Sequence, residues 1–296
     1  MTQESLRAFA PAKLNLGLEV IRQRSDGFHD LETIFQAIDF GDDLEFSKVK
    51  GRDGLRMKVE GLPLSTGPDN LVSQAWDILR PLLPPGEQGL NVRLHKRIPT
   101  GSGLGGGSSN AAATLKAISR LWSLKLSPDQ MAELALQLGC DVPFFLRGGT
   151  AIGRGRGEIL EPLVPLSSGA FLLLFPGISV STTWAFGQVK LGLTRHSYRI
   201  RVEQVKAYLA RFPSPAMVLK NRLEDAVVPS YPVMGTAAEA LTESGAVHVS
   251  MSGSGSCLFG TYPDIKSAEE VCEALKERWE CRVAAPYPGG AGCETV

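Results

Sequence analysis

At 296 residues the chain is too long for one ordinary hydrophobic core and long enough for two. Lys plus Arg and Asp plus Glu both number 31, so no net field recruits nucleic acid or an anionic membrane. The longest apolar runs, such as Phe171 to Phe175, fall far short of a bilayer span, no charged-then-apolar signal segment opens the chain, and five cysteines without paired or zinc spacing fit reduced thiols. These features predict a cytoplasmic protein with no protein-held metal, no nucleic-acid partner and no membrane association.

Leu14, Leu16, Leu18 and Val20 alternate with other residues as a strand, with Lys13 and Asn15 on its opposite face. Ser25-Asp26-Gly27 reads as a turn into a second extended segment, Leu31 to Ile38. Leu44 and Phe46, then Leu55, Met57 and Val59, read as another alternating pair around Arg52-Asp53-Gly54, so the first 60 residues are expected to be mostly antiparallel sheet. Asp69 is placed to cap a helix on Leu71, Ala75, Ile78, Leu79 and Leu82, stopped by Pro84-Pro85-Gly86.

The strand Leu90 to His95 leads into Pro99-Thr100-Gly101-Ser102-Gly103-Leu104-Gly105-Gly106-Gly107-Ser108-Ser109-Asn110, and Ser109 to Trp122 reads as helix. Glycines let a ligand approach the backbone, and the helix N-terminus adds unpaired N–H groups and the positive end of its dipole. That is a cradle for phosphates. No Lys follows the glycines as a P-loop requires. Gly101-x-Gly103-x-x-Gly106 matches the dinucleotide fingerprint, but the preceding strand alternates and no strand-end acid stands near Trp122 to Ser127. A dinucleotide-binding oxidoreductase therefore stays only as an alternative.

Ser127-Pro128-Asp129-Gln130 is a capping box that opens a third helix, which Gly139 stops. Asp141 follows, beside Val142-Pro143-Phe144-Phe145, and an aspartate in that apolar setting is either a turn or cap residue or a base. Pro162 and Pro165 mark a junction, giving units 1–162 and 163–296. Beyond it come a buried strand at Phe171 to Phe175, the turn Pro176-Gly177 with Ser179 to Thr183, and helices over 199–212 and 233–243. A hairpin, Val247–Met251 with Cys257–Tyr262, a helix on Ile265 to Leu275 and a strand Cys281 to Ala285 complete a ferredoxin-like order, before a short Gly-rich tail after Pro288.

Three motifs read together carry a resemblance: Pro-Ala-Lys-Leu-Asn-Leu at 11–16, the glycine run at 99–110, and Ser-Gly-Ser-Gly-Ser-Cys at 252–257. The chain resembles the GHMP kinase superfamily over nearly its whole length. The resemblance implies an α+β, two-domain GHMP-kinase-like architecture: an N-terminal mixed sheet with helices (1–162, ATP-binding and catalytic) and a C-terminal ferredoxin-like sandwich (163–296, substrate-binding). It implies an ATP-dependent kinase with Mg²⁺, working as a monomer or weak homodimer. ATP would lie across Pro99, Thr100, Gly101, Ser102, Gly103, Leu104, Gly105, Gly106, Gly107, Ser108 and Ser109, with Lys96 nearby.

Arg24 to Leu31, Lys96 to Pro99 and Gly139 to Phe145 are similar to members that act on a sugar alcohol capped with cytidine diphosphate, in non-mevalonate isoprenoid synthesis. By that likeness Lys13 and Asp141 would face the substrate hydroxyl, and Asn15 would position the reacting end. Phe28 and Phe186 would sandwich the cytosine, with His29 on its polar edge, Thr182 close by, and Gly253 and Gly255 approaching from the second domain. Two residues depart from the pattern: Phe28 stands where Tyr is usual, and Arg222 stands where Asp is usual in Asn221-Arg222-Leu223-Glu224. An ordinary aspartate, with a pKa of about 3.9, is too weak to ionise an alcohol beforehand. Asp141 would therefore accept the proton as the new bond forms, with Lys13, at roughly 4–6 Å, favouring the ionised carboxylate. A kinase for mevalonate, homoserine or another sugar is the alternative, and Phe28-His29 is what distinguishes the two.

Overall fold

The computed structural model describes residues 5–86, 88–189, 202–214 and 219–295. Its first two strands, β1 (Ser5–Gln23) and β2 (His29–Lys48), are longer than the alternation suggests. They pair antiparallel, with register shifts at Pro11/Ala12, Asn15/Gly17 and Val20/Arg22. Such irregularities bend a strand, and here one ribbon serves two layers. Leu6, Ala8 and Ala10 join the core under the N-terminal helices, whereas Ala12, Leu14 and Leu16 join a core shared with the C-terminal half.

Leu44 and Phe46 continue β2, so the expected hairpin about Arg52-Asp53-Gly54 does not form. Instead β3 (Gly54–Gly61) runs parallel to β4 (Gly89–Lys96), the two joined through helix α1 (Leu71–Leu79), and β4 lies between β2 and β3. Alternation shows which face a strand buries but says nothing of its neighbour. Asn70, rather than Asp69, caps α1 by accepting from the Val72 N–H at 2.8 Å. Helix α2 (Gly106–Leu121) begins inside the glycine run, three residues earlier than expected. Helix α3 (Pro128–Leu138) has both bonds of its capping box, and α4 (Val142–Arg147) follows. Strands β5 (Thr150–Gly155) and β6 (Ile159–Leu163) extend the sheet beside β2.

The second sheet contains β7 (Ala170–Phe175), β8 (His248–Met251), β9 (Leu258–Tyr262) and β10 (Glu280–Ala284) in the antiparallel order β10-β7-β9-β8. That is the 4-1-3-2 order of a ferredoxin-like sandwich. Helices α5 (Thr182–Gly187), α6 (Val202–Leu209), α7 (Glu224–Ser230), α8 (Pro232–Glu243) and α9 (Ile265–Leu275) belong to this half. Ser179 and Val180 lead into α5, capped by Ser181, and the expected start of α6 at 199–201 lies outside the described residues. The Gly-rich end of the chain is more than a tail. Strand β11 (Gly292–Thr295) pairs with β1, so the chain closes on the sheet that it began.

Strand β7, buried along its whole length, joins the halves through its two faces. Phe171, Leu173 and Phe175 pack with Leu14, Leu16 and Ile34, while Leu172 and Leu174 face the C-terminal helices. Among the described residues no helix is long and apolar enough to cross a membrane.

A buried charge network fixes the edge of the glycine run. Asp42, fully buried, accepts from Lys96 Nζ at 2.5 Å, from Asn110 Nδ2 at 2.9 Å, and from the Arg97 and Ile98 N–H groups at 2.7 and 2.9 Å. Removing one partner of a buried pair strands the other. We predict that Asp42→Ala lowers the unfolding free energy by about 3–5 kcal/mol, and that adding Lys96→Met restores part of it. Urea unfolding of both variants checks this; a loss below about 1 kcal/mol would show the pair to be dispensable.

Candidate active site

Lys13 lies in the bent middle of β1 and is only 4% exposed. The face that carries it and Asn15 is covered by residues from three other segments. Lys13 Nζ is 3.7 Å from Asp141 Oδ2, donates a short bond to Asn15 Oδ1, and lies 5.4 Å from the centre of the Phe35 ring. Asn15 Nδ2 donates in turn to Thr33 Oγ1 at 2.7 Å, and Thr33 donates to the Gly17 carbonyl. Burial pushes the Lys13 ammonium below the ordinary lysine range, with Asp141 opposing that effect.

Asp141 precedes α4 but makes no side-chain cap bond. Its carboxylate is therefore not spent on the helix, and its side chain is 33% exposed. A side-chain cap is excluded by this geometry, while Asp141 does stand in a turn, between α3 and α4.

The glycine run curls around Lys13. The Lys13 N–H donates to the Leu104 carbonyl at 3.0 Å, and Leu104 itself is fully buried. Gly105 caps α2 with φ +72°, and a Cβ there would stand 2.8 Å from the Phe145 ring and 3.2 Å from Lys13 Cγ. The first bond of α2 runs from the Ser109 N–H to the Gly105 carbonyl. The N–H groups of Gly106, Gly107 and Ser108 precede it and point out of the helix start. Lys96 Nζ reaches the same place, 2.8 Å from where a Gly106 side chain would begin. Ser109 Oγ and Asn110 Oδ1 are buried there without a hydrogen-bond partner, as atoms awaiting a polar ligand would be. Ser102 folds back onto the Pro99 carbonyl, while Thr100 and Gly101 are exposed.

The second half contributes the Ser252–Ser256 loop between β8 and β9. A Cβ on Gly253 would lie 3.2 Å from Asn15 Oδ1 and 3.3 Å from Lys13 Nζ. Gly255 turns the other way, toward Met251 and Met234. Thr182 Oγ1 meets Ser254 Oγ at 2.9 Å. His29 and Phe186 stack at 5.3 Å, 28° from parallel, whereas Phe28 stands apart at 53% exposure.

Two residues of this assembly, Asp42 and Thr33, carry no signal in the sequence. Asp42 is one of three aspartates in five residues, and Thr33 sits in an ordinary strand. Asn221 donates to the Met251 and Gly253 carbonyls at 2.7 Å each, and Glu224 accepts from Ser250 Oγ and the Met251 N–H. The 221–224 motif thus holds the Ser252–Ser256 loop, and the guanidinium of Arg222, its variant member, pairs with Asp225. Cys257 is fully buried, and burial pushes its thiol up, so it packs rather than reacts.

The dinucleotide fingerprint is not seated as that fold requires. Strand β4 pairs antiparallel with β2, and α2 leads to α3 rather than to a parallel strand. Among the described residues no three His, Cys, Asp or Glu side chains gather as a metal site.

Comparison with known proteins places this geometry. The family described as GHMP kinases N terminal domain matches residues 70–149, and GHMP kinases C terminal matches 203–281. The 4-diphosphocytidyl-2-C-methyl-D-erythritol kinase of Marinobacter nauticus is 40% identical over 90% of this chain and 88% of its own length, and that of Pelotomaculum thermopropionicum is 40% identical over 90% and 92%. A crystal structure of 4-(cytidine 5'-diphospho)-2C-methyl-D-erythritol kinase superposes with a TM-score of 0.82 at 34% identity, covering 94% of this chain and 98% of that one. Homoserine kinase from Cytophaga hutchinsonii shares the fold at a TM-score of 0.64 and 21% identity, over 100% of this chain and 98% of its own. The chain belongs to the GHMP kinases, ATP-dependent phosphotransferases, and within them to the family of the 4-diphosphocytidyl-2-C-methyl-D-erythritol kinases.

Proposed function

We propose that the chain transfers the γ-phosphoryl group of ATP to a hydroxyl of 4-diphosphocytidyl-2-C-methyl-D-erythritol, a step of isoprenoid biosynthesis. The observation that carries the chemistry is the Lys13–Asp141 pair, 3.7 Å apart beside the free N–H groups at the start of α2. Phosphoryl transfer through a loose transition state needs positioning and charge stabilisation more than covalent help. The N–H groups of Gly106, Gly107 and Ser108 take phosphate oxygens, and Lys96, held by Asp42, stands at the same helix start.

Lys13 orients the acceptor hydroxyl and stabilises the charge that grows between donor and acceptor. Its own position is set by Asn15 and Thr33. Asp141 accepts the hydroxyl proton as the phosphorus–oxygen bond forms. Mg²⁺ fits the site as an ion held mainly by phosphate oxygens and water, with the Ser108 and Ser109 hydroxyls at hand and Ser109 Oγ lacking a partner. It would supply neutralisation of the β- and γ-phosphate charge.

The nucleobase end is assigned to Phe28, His29 and Phe186. Burial keeps the His29 imidazole below its ordinary pKa and so neutral, with one donor and one acceptor to offer cytosine. Thr182 and Gly253 complete the substrate side, and Gly255 shapes the loop that presents Gly253. In this reading 1–162 binds ATP and holds the catalytic pair, while 163–296 contributes the substrate-side loop and Phe186.

Asp141→Asn is expected to lower kcat by about 10²–10⁴-fold with the KM for ATP little changed; turnover within about twofold of the unaltered enzyme would remove the base assignment. Lys13 gives a pH signature. Its ammonium is lost as pH rises through a pKa lowered by burial, so kcat should fall on the alkaline side with a midpoint below about 10.4. Lys13→Arg should abolish that limb, and an unchanged limb would assign it elsewhere. The identity of the substrate is tested by assaying the cytidine-diphosphate substrate, mevalonate and homoserine side by side with ATP and Mg²⁺. Turnover of the first alone is expected; turnover of another alcohol instead would keep the phosphate cradle and discard the base site.

A further inference from the structure

Phe28 is an unusual surface residue: a large aromatic, 53% exposed, in a turn that is otherwise tied down. Its N–H donates to Asp26 Oδ1, its carbonyl accepts from the Arg24 N–H, and Arg24 is clamped between Asp26 and Asp30. One face of the ring is not open. The guanidinium carbon of Arg156 lies 5.0 Å from the ring centre, a cation–π geometry.

Arg156 sits at the tip of the β5–β6 hairpin. Glu158 holds it there, accepting from the Arg156 N–H at 2.6 Å and approaching its Nε to 3.6 Å. The next residue, Gly157, touches the catalytic side, since a Cβ there would lie 3.4 Å from the Phe35 ring and 3.7 Å from Asp141 Oδ1. Gly155 pairs with Leu31 of β2, two residues after His29, which fixes the tip against the 28–29 turn.

We infer that Arg156 is a positioning residue for substrate selection: it lies over one face of Phe28 and so holds the ring as a one-sided platform whose other face receives the nucleobase. This rests on the assignment of Phe28 to the base end of the substrate. A ring bound to a cation on one face keeps its orientation and meets a planar ligand on the other without reordering, which lowers the cost of binding. The Arg156 guanidinium is engaged by Glu158 and by the ring, with Asp26 near enough to feel its charge. It therefore acts on the base through Phe28.

The test is steady-state kinetics with the cytidine-diphosphate substrate for the full chain and for Arg156→Ala, Arg156→Lys, Phe28→Leu and the Arg156→Ala/Phe28→Leu double variant. Arg156→Ala should raise the KM for that substrate about tenfold, equivalent to about 1.4 kcal/mol, with kcat within about twofold and the KM for ATP unchanged. Arg156→Lys, which keeps a cation, should recover most of the loss. In the Phe28→Leu background the Arg156→Ala change should add nothing, because the platform is already gone. An unchanged KM in Arg156→Ala overturns the inference. So does a full tenfold effect that persists without the ring, which would make Arg156 a direct ligand of the substrate's phosphates, and so does an equal rise in the KM for ATP, which would mark a general loss of structure. Absence of turnover by the unaltered protein removes the substrate assignment itself, and the inference with it.

Discussion

The site depends on the contact between two glycine-rich loops from opposite halves of the chain. The Cys257 N–H donates to the Ser102 carbonyl at 3.1 Å and the Ser256 N–H to the Gly101 carbonyl at 3.2 Å, so the loops bond backbone to backbone. Ser252 Oγ donates to the Gly103 carbonyl at 3.1 Å and accepts from the Asn15 N–H at 3.3 Å. Gly103 has φ +77°, and any side chain on it would run into the Ser252 carbonyl. Only glycine satisfies both the backbone conformation and the approach. This contact turns two sheets into one site, because it seats Gly253 beside Lys13 and closes the phosphate cradle from behind.

Charge within the site is divided between two buried lysines with different duties. Burial lowers the pKa of both, and each has one carboxylate opposing that effect. Asp42 is fully enclosed and shared among Lys96, Asn110 and two backbone N–H groups, so its pair with Lys96 is part of the framework. Asp141 is one-third exposed and stands farther from its lysine. The loose pair can open to a hydroxyl; the tight one cannot without stranding a charge. Enclosure and distance, rather than residue type, separate the pair proposed to react from the structural one.

What was legible in the sequence follows the same division. Local rules found the elements whose causes are local: the capping box of α3, the glycine run before α2, the β8–β9 hairpin, and the buried strand β7, whose two faces lie in two different cores. Pairing between distant segments was not legible, so the parallel β3–β4 pair and the return of β11 to β1 were missed. The candidate site divides likewise. Lys13, Asn15 and Asp141 were found through motifs, and the structure brings them together. Asp42 and Thr33 were missed because what they hold lies up to 68 residues away and nothing in their neighbours marks them, whereas Asn221 and Glu224 stood in a motif whose task, holding the Ser252–Ser256 loop, is visible only in the fold. Phe28 and Phe186 were expected to face one another across a base. Instead His29 stacks on Phe186 and Phe28 leans on Arg156, a pairing set by the β2–β5 register.

One strand connects these places. β2 begins at His29 beside Phe186, passes Thr33, which supports Asn15, and reaches Asp42 beneath the phosphate cradle. A bonded strand within a sheet is stiff along its length, whereas the places that this one connects differ in kind. The cradle end is buried and fixed by Asp42, so the place proposed for the phosphates is set by the core. The base end is a turn on the surface, tied by Arg24, Asp26 and Asp30 and braced from the neighbouring hairpin. A change at the base end alters few buried contacts, while a change at the cradle end exposes or strands a charge. On the proposed reading, that asymmetry leaves the base end of β2 free to change its ligand contacts while the phosphate end is held by a buried charge network.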